Sequence, residues 1–297
     1  MIIDQPGNIT DRILFLGRNE SNVYLLKGGD EYVVIGGGMI HIVSDILEQL
    51  EAYGIEEEKI KRILILHSHF DHCGIVPFFK NRWPWVTITA SERAKTLLSS
   101  PHIVDSFKFM NQVLIEQYGY REKAKELGVE FTGIDVEEVV KGGDTLSCGD
   151  VSLEIIDTPG HSSCSISVYL AIENALFASD AGGVSCGDRI FTAANSNFDS
   201  YQRSLETLAG YDTDIYLPEH YGVKTGEQAR QYINNAMAAA RETRAMLEES
   251  LLRTKDIETS AEEATDMFMK TAPEGFLPRE IIALVSKQMV TYLSKKL

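Results

Sequence analysis

Most apolar residues in the first ninety positions fall in short runs rather than helical stripes. "ILFLG", "NVYLL", "EYVVI" and "RILIL" are β-branched or aromatic, and Gly, Asn, Asp or charged residues bound them, so each reads as a buried strand. Gly28-Gly29-Asp30 turns the second into the third as a hairpin. "HIVSDILEQLEAYG" is a helix ended by Gly54, and "WVTITASERAKTLL" is a strand followed by a helix that Ser91 opens. Residues 101–140, opening "PHIVDSFKFMNQVLIEQYG", form a largely helical insert. Beyond it, "TLSCGDVSLEIID" turns at Cys148-Gly149-Asp150 and "SISVYLAIENALFASD" at Glu173-Asn174, giving two further hairpins. Strand blocks on either side of helices define an α/β chain.

The pattern changes after residue 223. "GEQARQYINNAMAAARETRAMLEESLLR" spaces Ala229, Ile233, Ala236, Met237, Ala240, Met246, Leu247 and Leu251 mostly three or four apart, which predicts a long amphipathic helix. Ser260 and Glu263 form a capping box before "ATDMFMK", and Pro278 opens a last helix with Ile282, Val285, Met289 and Leu293 on one face. Residues 224–297 therefore make a helical appendage. Its apolar face packs on a core, pairs two copies as a homodimer, or lines a pocket.

Composition narrows the field by exclusion. A chain of 297 residues with 44% hydrophobic content buries a large core. No apolar run reaches membrane-spanning length, and "MIIDQPGNITDR" lacks the basic-then-apolar layout of a signal peptide. The four cysteines show no paired spacing, which suits reduced thiols in the cytoplasm. A net charge of −16 opposes nucleic-acid binding and leaves a small molecule as the expected partner.

Chemistry concentrates in "HSHFDHCG", residues 67–74, which places an aspartate and three of the seven histidines directly after "RILIL". Strand ends are where α/β proteins collect ligands and catalytic groups. Imidazole nitrogen and carboxylate oxygen are preferred donors for zinc and other borderline first-row ions. In an extended loop His67 and His69 share one side, whereas Asp71 and His72 belong to the following turn, so the four divide more naturally between two ions. His161 in "VSLEIIDTPGHS", Asp180 in "NALFASDAGG" and His220 in "TDIYLPEHYG" each follow an apolar run and extend the set. His41 and His102 are left for structural roles.

In this order and spacing, His67-x-His69-x-Asp71-His72, His161, Asp180 and His220 resemble the motif of the metallo-β-lactamase fold, the hydrolase superfamily that includes glyoxalase II, lactonases and flavodiiron proteins. The resemblance implies a four-layer αβ/βα sandwich, with a catalytic domain over residues 1–223 and a helical cap over 224–297. It implies that His67, His69 and His161 bind one metal, that Asp71, His72 and His220 bind a second, and that Asp180 bridges them. A bridging water or hydroxide is then the nucleophile, because a metal lowers the pKa of its water to about 7 while the second ion polarises the substrate. Asp71 is also the catalytic candidate, steering the hydroxide or shuttling a proton. Zinc is the default for these donors, and iron and manganese accept them too.

"HFDHCGIVPFF", "TASERA" and the helical tail with "GFLPRE" resemble more narrowly the quinolone-signal thioesterase type, whose members carry a helical insert and cap and can dimerise. The expected activity is hydrolysis of a small ester, thioester or lactone. The alternatives are a glyoxalase II-like thioesterase and a partner-binding regulator that keeps the metals with little turnover. Phe268 and Phe276 are the expected substrate-binding aromatics of the tail. Three departures stand out. Gly36 replaces an Asp or Glu common in relatives, which predicts the loss of a carboxylate contact to a metal-binding histidine. Ser179 replaces the glycine usual before the bridging aspartate, and "GHSSCS" lacks a histidine often found after His161.

Overall fold

In the computed structural model, which describes residues 1–187, 189–271 and 278–297, the strands assemble into two seven-stranded sheets. The first runs Gly7–Asn8, Ile13–Arg18, Ser21–Gly28, Glu31–Ile35, Ile60–Leu64, Thr87–Ser91 and Glu138–Val140. Its pairing is antiparallel as far as Glu31–Ile35 and parallel from there on. The second runs Ile2–Ile3, Val223–Thr225, Ile215–Leu217, Ala175–Phe177, Ile166–Leu170, Val151–Asp157 and Thr145–Cys148, with Ala175–Phe177 parallel to Ile215–Leu217.

Both sheets are covered on both faces, which is why their central strands read as unbroken apolar runs. Phe15, Tyr24, Ile35 and Leu64 of the first sheet meet Leu153, Val168, Phe177 and Leu217 of the second in the middle layer. The outer face of the first sheet is buried by α1 (Val43–Ala52), α2 (Val76–Arg82), α3 (Glu92–Leu98), α4 (Pro101–Gln117) and α5 (Arg121–Leu127). The outer face of the second packs on α6 (Phe198–Leu208), α7 (Glu227–Thr254), α8 (Ile257–Thr271) and α9 (Arg279–Ser294). The result is a four-layer αβ/βα sandwich whose last three helices form the tail. No helix of the described residues is long and apolar enough to cross a membrane.

Two local expectations change. The insert is helical only to Leu127, where Gly128 at φ +68° ends α5. The chain beyond is irregular and then joins the first sheet edge at Glu138–Val140. It buries Val129, Phe131, Ile134 and Val136, spaced for extended backbone rather than a helix. The capping box fails as well, because α8 starts at Ile257 and Ser260 lies inside it. Asp256 supplies the cap instead, its Oδ1 accepting from Thr259 N at 2.8 Å, while Glu263 accepts from Ser250 Oγ at 2.6 Å.

The two sheets abut at the turns read from the sequence. Asp150 N donates to the Gly28 carbonyl at 3.1 Å, and a Cβ on Gly28 would lie 1.9 Å from the Cys148 oxygen. Gly28→Ala should therefore lower unfolding free energy by about 3 kcal/mol, the upper end for overpacking, because backbone rather than a flexible side chain must move. A denaturant midpoint equal to wild type would contradict this abutment.

Candidate metal centre

Four strand ends deliver the seven singled-out side chains to one edge of the sandwich. Ile60–Leu64 runs into His67, Val151–Asp157 leads to His161, Ala175–Phe177 leads to Asp180, and Ile215–Leu217 leads to His220. A short 3-10 turn, Phe70–His72, sets Asp71 and His72 beside the strand end of His67. His67, His72, His161, Asp180 and His220 are buried, while His69 and Asp71 are half-buried at the open side.

The donors separate into groups whose atoms lie within 4.8 Å of one another: His67, His69 and His161 in one, Asp71, His72 and His220 in another. His69 Nδ1 and His161 Nε2 are 2.9 Å apart, and His72 Nε2 and His220 Nε2 are 3.0 Å apart. Two nitrogens about 2.0–2.1 Å from one tetrahedral ion sit about 3.3 Å from each other, so both pairs are close to the spacing that a shared ion needs. Asp180 lies between the groups, with Oδ2 3.3 Å from His72 Nε2 and 3.5 Å from His161 Nε2, and Oδ1 3.8 Å from His220 Nε2. The rings are held from behind: His161 Nδ1 donates to the Ala193 carbonyl at 2.9 Å, and His220 Nδ1 to that of Glu20 at 2.6 Å. Each bond fixes the tautomer that aims Nε2 inward. His67 Nε2, buried without a hydrogen-bond partner among the described residues, also faces the middle. Donor types, spacing and the unpartnered His67 nitrogen all fit divalent ions.

Electrostatics divide the two groups. Burial and the neighbouring His161 pull the pKa of His69 down to about 3, and burial depresses His67 and His161 as well. Burial opposes charge on His72 and His220 too, but Asp71, Glu219 and Asp180 outweigh it on His72, and Asp180 and Asp71 on His220, so both are raised. Asp180 is held well below the usual carboxylate range because His72 and His220 overcome its desolvation.

One residue escaped the sequence reading. Glu219, beside His220, is buried with Oε2 3.0 Å from His72 Nδ1 and 3.9 Å from His67 Nδ1. The carboxylate expected to be lost with Gly36 is thus delivered from the other sheet. "PEH" held the signal, which the adjacent histidine masked. The group His67, His72 and Glu219 also lies within 4.8 Å. It uses the Nδ1 edges, so a third ion there would require imidazoles bridging two ions each and stripped of both ring protons. Cys73 is buried, with Sγ 3.6 Å from the His67 carbonyl rather than among the donors. His41 stacks on Tyr118 with ring centroids 3.7 Å apart, and His102 is exposed on α4.

Phe268 is buried on α8 with its ring 4.9 Å from Phe191. It lines a cavity of about 880 Å³ between α7 and the hairpin formed by Val184–Cys186 and Arg189–Phe191. None of the seven donor residues lines that cavity. Phe276 lies outside the described residues.

Such a two-sheet sandwich, with histidines and carboxylates gathered at its strand ends in groups that could hold metal, has the architecture of the metallo-beta-lactamase fold. The chain belongs to the metallo-beta-lactamase superfamily, whose sequence profile matches residues 16–220. It is similar to a protein described as probable metallo-hydrolase YqgX of Bacillus subtilis, 24% identical over 214 residues that cover 71% of this chain and 86% of that one. It is also similar to the acyl-coenzyme A thioesterase MBLAC2 of Gallus gallus, 25% identical over 231 residues, or 75% and 80% of the two chains. Among solved structures, the metallo-beta-lactamase family protein TTHA1429 of Thermus thermophilus shares the fold with a TM-score of 0.68 at 18% identity, covering 97% of this chain and 95% of that one.

Proposed function

We propose that the protein is a dimetal hydrolase of small esters, thioesters or lactones, with zinc as the default ion. The observation that supports this most strongly is the meeting of two donor groups around one carboxylate, Asp180. When bound, such a pair of ions activates water near neutral pH and polarises the scissile carbonyl. The protein's own residues do the rest. His161 and His220, tied to backbone carbonyls, keep their Nε2 atoms in place without reorganisation. Asp71, half-buried with Oδ2 3.5 Å from His72 Nε2 and 3.6 Å from His220 Nε2, stands at the open side and takes the proton of the attacking water. A thioester substrate is favoured by the likeness to a protein named as an acyl-coenzyme A thioesterase. The cavity beside Phe268, although none of the seven donors lines it, is the space we assign to the acyl portion.

Elemental analysis of protein purified without chelators should find about two ions per chain, because seven donors exceed one tetrahedral set. Asp180→Ala should lower metal retention and turnover by more than the about 100-fold typical of losing an outer partner. A content of one ion, or full activity of that variant, sinks the assignment. On a thioester series of increasing acyl length, Phe268→Ala should raise KM for the longer chains with kcat and metal content little changed. If the thermal midpoint falls while chain-length preference stays that of wild type, Phe268 is core only.

A further inference from the structure

Three residues that send no atom to the middle of the centre are fitted to one another behind it. A Cβ on Gly36 would lie 2.5 Å from Glu219 Oε1, so the carboxylate occupies space that only a glycine leaves. Glu219, 2% exposed, accepts a hydrogen bond from Ser179 Oγ, and that hydroxyl lies 3.1 Å from His67 Nδ1. On its other side Glu219 Oε2 is 3.0 Å from His72 Nδ1. That approach is an ion-pair contact rather than a hydrogen bond, since His72 Nδ1 and Glu219 Oε1 have no hydrogen-bond partner among the described residues.

The donor directions close consistently. An ionised carboxylate only accepts, so Ser179 donates to Glu219 and its oxygen is left to accept from His67 Nδ1–H, while His72 Nδ1–H faces the same carboxylate. Both imidazoles then carry their proton at the back and present a bare Nε2 toward Asp180. Ser179 holds this place at φ +48°, a left-handed conformation that glycine adopts without strain. A serine kept there carries a hydroxyl that has work to do.

We infer that Glu219 and Ser179 are positioning residues in one relay, hydrogen-bonded from His67 through Ser179 to Glu219 and carried on to His72 by the charge contact of its Nδ1 edge with the Glu219 carboxylate, which joins a donor of the first ion to a donor of the second and makes retention of the two ions interdependent. The inference rests on the dimetal reading above. Its test compares wild type with Ser179→Gly, Ser179→Ala and the isosteric Glu219→Gln. Each is loaded with Zn²⁺ alone and challenged with a chelator, and the melting temperature of each metal-free form is measured in parallel.

Ser179→Gly is the decisive variant because the two readouts should move in opposite directions. Relief of the left-handed serine raises the metal-free melting temperature, yet loss of the hydroxyl weakens chelator resistance of both ions by about 10–100-fold, the range for outer partners of metal-binding histidines. Ser179→Ala and Glu219→Gln should likewise lose both ions together. The relay is overturned if metal retention follows metal-free stability across the variants, if only one ion is weakened, or if all variants hold zinc as wild type does. Wild-type protein that takes up no zinc overturns the dimetal reading on which the relay stands.

Discussion

A carboxylate buried in a protein interior must be surrounded by positive or hydrogen-bonding groups, since an isolated buried charge is expensive enough to unfold a domain. Asp180 meets that condition with four imidazoles. Its oxygens lie within 4.0 Å of His67, His72, His161 and His220, which come from both sheets. The separation of the two sheets therefore decides whether the centre exists. Phe177, three residues before Asp180, holds that separation by packing edge-on against Tyr24 of the first sheet with ring centroids 5.5 Å apart. Parallel pairing of Ala175–Phe177 with Ile215–Leu217 does the remaining alignment, because both strands then turn toward Asp180 and His220 at the same edge.

Two of the four non-glycine residues with left-handed backbone among the described residues lie in those turns. Ser179 before Asp180 and Tyr221 after His220 both have positive φ, at +48° and +58°. Conformations of this kind cost about 1–3 kcal/mol each and persist only where the surroundings over-determine them. Here the surroundings are a fully packed middle layer and direct ties across the centre. The Tyr221 N–H is held by the Asn19 carbonyl at 2.6 Å, and Ser179 by Glu219.

What was legible in the sequence follows the range of the physics involved. "HSHFDHCG" is local, so its spacing alone predicts that His67 and His69 separate from Asp71 and His72. His161, Asp180 and His220 are legible because each ends an apolar run, and the parallel strand ends bring such positions together. Glu219 was not legible in this way. Its meaning depends on an empty volume at Gly36, far away in sequence, and on a serine at 179, and only the folded chain puts the three in contact. Gly36 read alone suggests a lost carboxylate, although the carboxylate has only changed sheets. The misplaced cap at Ser260 has a smaller cause: Asp256 offers an acceptor to Thr259 one turn earlier, and a stronger competitor of the same chemistry wins.

The tail helices bear on the centre through the second sheet and the turn behind Asp180. The outer face of the second sheet is apolar around Leu176 and Tyr216, and some layer must bury it. Tyr232 of α7 does so by stacking on Tyr216, with ring centroids 3.9 Å apart. On the side toward the centre, the Tyr216 hydroxyl presses so closely on Gly182 that a Cβ there would lie 2.0 Å from it. The Tyr232 hydroxyl also donates to the Gly183 carbonyl at 3.2 Å. Gly182 and Gly183 continue the turn that carries Asp180. A close-packed contact transmits displacement because it has no void to absorb it. The position of α7 therefore fixes the loop behind the central carboxylate, and a tail that covers the sheet also sets the geometry of the metal centre.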